Sequence, residues 1–282
     1  MPTLKETKGR INSVRNTLKI TSAMKLVASA KLRKAQQAIE SMRPYERQLQ
    51  RMLEEVCGSH EPEALVDQSD SLRGRKAVVA IASNSALCGS FNANVIAKVR
   101  SLRSPGDTVW SIGRKMADAM RRDGFPSPDD LSAVAEHPAY APVASLVEKL
   151  SDEFEKGRYS CVVLVYNHFV STSRQEPVVE ILLPEGKFVA DDSPEREASL
   201  IIEPSRKEFL EALVPKTRKL KLYAALLDSS AAEQAARTVA MQTATDNGED
   251  LLEDLTLQYN KGRQQKITSE ILDLAGGQTE HQ

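Results

Sequence analysis

The sequence has few aromatic residues and no long apolar run. Aromatic side chains make up 5% of the 282 residues, with a single Trp. A β-sandwich, or a protein that stacks bases on aromatic rings, usually has more of them. No run of about 18 uncharged apolar residues is present that could span a bilayer. With 41% apolar and 27% charged residues, the composition is sufficient for a core and favours long helices.

Cysteines are also scarce. Cys57, Cys88 and Cys161 form no C-x-x-C pair and have no histidine at ligand spacing. A disulfide framework and a zinc site are therefore not expected. We predict buried or half-buried thiols in a reducing compartment, no bound metal and no cofactor.

The net charge is only −1, but basic residues are concentrated at the N-terminal end. Between Glu6 and Glu40 there is no acidic residue, whereas eight basic residues lie there: Lys8, Arg10, Arg15, Lys19, Lys25, Lys31, Arg33 and Lys34. Such a segment is expected to bind something negative. Anionic lipid, nucleic acid, a mitochondrial transit peptide and a protein partner all fit this charge. The low aromatic content and a repeat that continues past Glu40 favour the protein partner.

That repeat has a period of seven residues. One row is Leu4, Ile11, Leu18, Lys25, Leu32, Ile39, Glu46 and Leu53, and the second is Thr7, Val14, Thr21, Ala28, Ala35, Met42, Leu49 and Val56. Apolar or small residues dominate both rows, which predicts a coiled-coil helix of about 54 residues and about 80 Å. Pro44 is the one expected bend. Lys25, Glu46, Thr7 and Thr21 interrupt the rows and are expected to set the register or to face a partner.

The middle of the chain alternates short apolar runs with helical patterns, after a polar segment at 59–75 that we interpret as a linker. Strands are predicted at 76–82, 108–112, 161–168, 178–183 and 200–202, and helices at 91–102, 114–122 and 142–156. This alternation predicts an open α/β sheet with helices on its faces.

Such a sheet invites a search for nucleotide or catalytic motifs. The loop at 83–90 contains one glycine, Gly89, and matches neither the dinucleotide-binding pattern nor the P-loop. His137 and His168 have no nucleophile motif nearby. The aspartate pairs at 129–130 and 191–192 lie in proline-containing loops. We interpret all of these as solvated loop groups and the α/β unit as a scaffold.

Residues 206–275 are rich in Ala, Leu, Glu, Gln and Lys, which predicts a second long helix, about 105 Å if continuous. Eight alanines between Ala224 and Ala244 would let a neighbouring helix come close. The two terminal helices are expected to pair antiparallel. The residues at 246–248 (DNG) predict a turn, and Gly262 is unfavourable inside a helix. The two glycines at 276–277 favour the end of the helix there.

Five short segments are distinctive: 20–28 (ITSAMKLVA), 43–45 (RPY), 87–92 (LCGSFN), 240–248 (AMQTATDNG) and 259–261 (YNK). Together they resemble the gamma-subunit family of ATP synthases. The match runs from both termini through the centre, and the two terminal motifs are the specific ones. The resemblance places 246–248 inside the C-terminal helix, against the turn that local chemistry predicts.

The resemblance implies an α/β fold class in which a long antiparallel coiled coil of the N- and C-terminal helices joins a central Rossmann-like domain. We predict a division into 1–58, 59–204 and 205–282. The implied role is a non-catalytic rotor shaft inside a ring of three alpha and three beta subunits. It would couple proton or sodium flow to conformational cycling of the beta catalytic sites and regulate ATPase activity. The epsilon subunit and the membrane c-ring are further implied partners, with no nucleic acid and no direct membrane insertion.

The family's contact positions carry over residue by residue. Met24 and Lys25 match the stretch that passes the acidic loop of beta, and Arg237, Arg263, Gln264 and Thr268 match positions that hydrogen-bond beta or support that contact.

Ala86 stands where many relatives have Gly. The chloroplast-type cysteine pair is missing, so thiol regulation is not expected. With no apparent transit peptide, we expect the cytoplasmic face of a bacterial plasma membrane.

Overall fold

The computed structural model describes residues 3–57, 74–184, 203 and 205–277. Most of the predicted linker, the predicted strand at 200–202 and the aspartate pair at 191–192 lie outside the described residues. The chain forms two compact units, Met1–Ala28 with Thr238–Gln282, and Ser29–Arg237. The division at residues 58 and 204 stays a prediction.

In chain order the described elements are α1 (Leu4–Cys57), β1 (Lys76–Ile81), α2 (Phe91–Leu102), β2 (Thr108–Ile112), α3 (Arg114–Arg122), α4 (Ser132–Glu136), α5 (Tyr140–Glu155), β3 (Cys161–Ser171), β4 (Arg174–Leu183) and α6 (Arg206–Gly277). The predicted α2, β2 and α3 are confirmed with the same bounds. α4 was not predicted. The hairpin of β3 and β4 extends several residues further than its apolar runs indicated.

Both terminal helices begin with a side-chain cap. The backbone N–H of Glu6 donates to Thr3 Oγ1, and the Glu6 carboxylate accepts from the backbone N–H of Thr3 at 2.8 Å. In α6 the backbone N–H of Glu208 donates to Ser205 Oγ at 3.2 Å. These contacts satisfy donors that the first turn of a helix otherwise leaves unpaired.

α1 is one helix of 54 residues that includes Pro44. Among its described side chains, the buried ones all belong to the two seven-residue rows: Thr7, Ile11, Thr21, Ala28, Leu32, Ala35, Leu49, Leu53 and Val56. The repeat therefore identified the buried seam correctly.

α6 is continuous over 72 residues, and 246–248 is helical. The turn predicted from local chemistry is therefore wrong, and the expectation from the resemblance is confirmed.

The larger unit is built on a four-stranded sheet with strand order β2-β1-β3-β4. β1 pairs in parallel with β2 and with β3, whereas β4 is antiparallel to β3. Every residue of β1 is buried, as expected for a central strand covered on both faces. The predicted α/β domain is confirmed.

Two apolar clusters cover the two faces of this sheet. One contains Val79, Trp110, Leu150, Leu222 and Leu226 and is covered by α5 and α6. The other joins the opposite face to α2 and α3 through Val78, Val95, Val99, Met116 and Met120. The strand residues alternate between these two layers because successive side chains point to opposite faces of a sheet.

The alanine-rich part of α6 allows close packing within the larger unit. Ala231 and Ala235 pack with Leu32 and Ala35 of α1. Phe169, near the end of β3, also packs against these residues. The small-residue face therefore accommodates an aromatic ring of the hairpin as well as a helix.

Candidate contact surfaces

The smaller unit pairs the start of α1 with the end of α6 in one constant antiparallel register. Three pairs establish it: Thr21 with Thr245, Leu18 with Gly248, and Leu4 with Gly262. From the first pair to the second, the residue number falls by three in α1 and rises by three in α6. From the second pair to the third, it falls and rises by fourteen. The antiparallel coiled coil that we expected is confirmed here.

The two glycines of this seam lie under leucine side chains. A Cβ at Gly248 would lie 2.7 Å from Leu18 Cδ2, and one at Gly262 would lie 3.2 Å from Leu4 Cδ2. Neither glycine has a positive φ. They serve close approach between two helices rather than a turn.

Met24 and Lys25 are both half-buried in α1. In the register just described they lie opposite Gln242 and Met241. Three large apolar side chains beside them are exposed: Ile20, Leu26 and Val27. These three were not singled out from the sequence, although all lie in the segment that resembles the family. Leu26 is the most exposed large apolar side chain among the described residues, at 69%.

Arg263, Gln264 and Thr268 lie near the other end of the same unit and are exposed. The Thr268 hydroxyl donates to the Gln264 carbonyl one turn earlier at 2.9 Å. Exposed Ile267, Ile271 and Leu272 surround them. Arg263 is 21 residues beyond Gln242, about 32 Å along the axis at 1.5 Å per residue. The structure therefore places these residues at a different level from Met24 and Lys25.

The two helices of this unit carry opposite charges over the paired region. α1 contributes six basic residues up to Ala28 and one acidic residue, Glu6. The facing part of α6 carries five exposed carboxylates and no cation over 246–254: Asp246, Glu249, Asp250, Glu253 and Asp254. One side of the pair is basic and the other is acidic.

Arg237 belongs to the larger unit and is buried, with 7% of its surface exposed. It pairs with Glu233, one turn earlier on α6, and its Nη1 donates to the Ala86 carbonyl at 2.6 Å. Burial raises the pKa of the Glu233 carboxyl, and the Arg237 guanidinium opposes that rise. Arg237 thus holds the loop after β1 against α6.

That loop places one apolar side chain in solvent. Leu87 has φ 68° and is 60% exposed, an uncommon conformation for a residue other than glycine. The next residue, Cys88, is buried, and Asn92 Nδ2 donates to its Sγ at 3.1 Å. Burial raises the pKa of the Cys88 thiol, so the neutral thiol is favoured.

His168 is exposed, as expected, but it does not lie in a loop. It lies on β3, and its Nδ1 is 2.5 Å from Asp228 Oδ2 of α6. Asp228 Oδ1 also accepts from the backbone N–H of Phe169 at 3.2 Å. The contact spans 60 residues of sequence, which explains why no local motif indicated it. His137 and Asp130 are exposed, and Asp129 pairs with Lys149 at 2.8 Å.

No group of three or more His, Cys, Asp or Glu residues is arranged to hold a metal ion in the part of the chain that the structure describes. Within the same residues, none of the helices has the length and apolar character needed to cross a membrane. The candidate contact surfaces are therefore the one around Met24 and Lys25, the one around Arg263, and the loop after β1 that Arg237 holds.

Comparison with known proteins identifies the family. The ATP synthase family model matches residues 3–279. The ATP synthase gamma chain of Phocaeicola vulgatus is 45% identical, over 98% of this chain and 99% of the relative.

Solved structures share the fold. A chain of the mitochondrial ATP synthase of Euglena gracilis aligns with a TM-score of 0.71 at 19% identity, over 98% of this chain and 94% of that one. A chain from the rotor of the same complex has a TM-score of 0.66 at 18% identity, over 94% and 98%. From the family model and the curated relative together, the chain belongs to the ATP synthase gamma-chain family.

Proposed function

We propose that the chain is the central-stalk rotor subunit of a bacterial ATP synthase. It carries out no bond chemistry. Its role is to couple ion flow through the membrane sector to the conformational cycle of the beta catalytic sites and so to regulate ATPase activity.

The observation that carries this proposal is the charge asymmetry of the helix pair in the smaller unit. With basic residues on α1 and five exposed carboxylates on α6, a rotating pair presents a different surface to each of several equivalent subunits. A conformational equilibrium shifts only if the contact differs between the two states. An asymmetric rod supplies that difference without any ligand of its own.

The contact residues follow from this arrangement. We place Met24 and Lys25 against the acidic loop of beta, because Lys25 is half-buried beside exposed Leu26 and Val27. Apolar neighbours lower the local dielectric, which strengthens a charge pair relative to one in open solvent. Arg263, Gln264 and Thr268 form a second contact level about 32 Å away along the axis.

Arg237 has a supporting role in this proposal. Its guanidinium is already engaged by Glu233 and by the Ala86 carbonyl. It therefore acts on the ring through the loop that it holds, whose tip exposes Leu87.

The same role implies the other partners and the location. Alpha and beta subunits surround the helix pair, and the epsilon subunit and the c-ring bind elsewhere on the chain. A neighbouring structure in the comparison comes from a complex that contains a c-ring. We place this chain at the cytoplasmic face of the plasma membrane, as a peripheral subunit.

Purification of the tagged chain from its native membranes in mild detergent tests the proposal. We expect one copy of the chain with three copies each of two nucleotide-binding subunits, together with ATPase activity. Recovery of the chain alone, or with only nucleic acid or lipid, would contradict the rotor role and favour a basic coiled-coil adaptor.

A further inference from the structure

A cleft of about 360 Å³ lies at the amino ends of β1 and β2 in the larger unit. Its lining includes Arg75, Trp110, Lys149, Glu153, Arg158 and Tyr159. Ligands of open α/β sheets usually bind at the opposite edge, beyond the carboxyl ends of the strands. The cleft is also separate from the loop that Arg237 holds, which follows the carboxyl end of β1.

The charged side chains of the cleft come from three places in the chain. Arg75 precedes β1, Lys149 and Glu153 lie in the last turns of α5, and Arg158 follows that helix. Three cations and one carboxylate give the lining a net charge of +2. Arg158 Nη1 is 3.2 Å from Glu153 Oε1, which leaves the remaining N–H groups of that guanidinium to other acceptors. Outside the lining, Asp129 accepts from Lys149 Nζ at 2.8 Å.

Trp110 adds a buried aromatic ring to this lining. The residue is 1% exposed, and its indole N–H has no hydrogen-bond partner among the described residues. Lys149 Nζ lies 4.9 Å from the centre of the indole ring. The ammonium group and the ring therefore form a cation–π contact at the cleft, which ties Lys149 to the only tryptophan of the chain.

We propose that this cleft binds a phosphate group, either free phosphate or the phosphoryl group of a phosphomonoester. With Asp129 counted, the basic groups still outnumber the carboxylates by one, which favours an anion. The three terminal oxygens of a phosphate group offer more acceptors to two guanidinium groups than a carboxylate does. Arginine guanidinium groups present parallel N–H donors that suit phosphate oxygens. The cleft volume is within the range of small-ligand sites.

Trp110 is the single tryptophan of the chain, so its fluorescence in the full-length protein reports directly on the cleft. Sodium phosphate, adenosine monophosphate and sodium acetate are titrated separately, with sodium chloride holding the ionic strength constant. We expect a saturable change with phosphate, with the monophosphate or with both, and none with acetate. A response to phosphate alone identifies the free anion as the ligand, and a response to the monophosphate alone identifies the phosphomonoester.

Arg75→Gln and Arg158→Gln test the assignment, and Lys98→Gln is the matched control. Lys98 is exposed on α2 and does not line the cleft, and each substitution removes one positive charge. Each arginine variant should weaken binding by about tenfold, because a charge-assisted hydrogen bond is lost. Circular dichroism of each variant verifies its fold, and the two arginine variants serve as independent tests.

Three results would overturn the proposal: no saturable response to either phosphate compound, an equal response to acetate, or equal weakening by Lys98→Gln. Because the titration uses the isolated chain, none of these results affects the rotor role.

Discussion

Thr21 and Thr245 face each other across the helix pair with their hydroxyl oxygens 2.9 Å apart. Each hydroxyl is also within hydrogen-bond distance of its own helix, at 3.1 Å from the Leu18 carbonyl and 2.9 Å from the Met241 carbonyl. Two hydroxyl protons cannot make three hydrogen bonds, so at most two of these contacts exist at once. The pair is a polar link in an otherwise mainly apolar seam.

Replacing one threonine of this pair should lower the free energy of unfolding by more than half of the amount lost when both are replaced. Thr21→Val removes the interhelical bond and should lower the free energy of unfolding by about 1 kcal/mol. Thr21→Val with Thr245→Val places two apolar side chains of similar shape together, so its cost should be below the sum of the single variants. Urea unfolding of the full-length chain measures all four proteins. Additivity to within about 0.5 kcal/mol would show that the hydroxyls are not coupled.

Gly248 should tolerate no branched side chain, because Leu18 occupies the space above it. Gly248→Val should destabilise the smaller unit by about 1–3 kcal/mol, the usual cost of overpacking. Adding Leu18→Ala should recover part of that loss by making room. Thermal unfolding of the single and double variants measures the effect.

Gly9 provides the matched control for that substitution. It is exposed on α1, and a Cβ there would meet nothing within 4 Å. Gly9→Val should therefore stabilise the helix by a few tenths of a kcal/mol, roughly the difference in helix propensity between valine and glycine. Equal destabilisation at Gly9 and Gly248 would refute the packing explanation.

Asp228 should make stability depend on pH. Burial raises its pKa above the ordinary value of 3.8, although the hydrogen bond from His168 opposes that rise. A carboxyl that binds its proton more tightly in the folded state stabilises the fold at low pH, and this contribution is lost as the pH rises through the raised pKa. The difference in unfolding free energy between wild type and Asp228→Asn should therefore fall as the pH rises from the ordinary value of 3.8 through the raised pKa of Asp228. A difference that is constant or grows over this range would mean that burial does not dominate.

Met24→Arg should weaken coupling without unfolding the protein. Met24 is only half-buried, so a long charged side chain can reach solvent from this position. In the complex reconstituted in vesicles, we expect fewer protons pumped per ATP hydrolysed, with Ser22→Arg as the control at an exposed position of the same helix. Unchanged pumping per ATP in the Met24 variant would disprove the contact assignment.

The seam of α1 could be predicted from sequence because its information is local. A seven-residue repeat determines which side chains share one face of a helix, and every side chain of α1 that the structure describes as buried lies in that repeat. Likewise, β2 ends where Gly113 adopts φ 99°, a conformation that other residues rarely take. Helix and strand bounds of this kind depend on neighbouring residues only.

Contacts between distant residues were not predictable in the same way. At 246–248, local propensity indicated a turn, but packing of Leu18 over Gly248 keeps the segment helical. Residues 171–176, at the far end of the hairpin, are all polar, so their pairing left no apolar signal. Arg237 and Ala86 are 151 residues apart, and the family resemblance marked Arg237 without indicating what it binds inside the chain.

The hydrogen bond from Arg237 is accepted by a backbone carbonyl, so it does not depend on the side chain at position 86. Every amino acid supplies the same acceptor, so position 86 is free to change between Gly and Ala while the loop keeps its brace. The donor has no such freedom, because few side chains reach as far or carry so many N–H groups. Across evolution, position 237 should therefore be constrained while position 86 drifts, although the two residues form one contact.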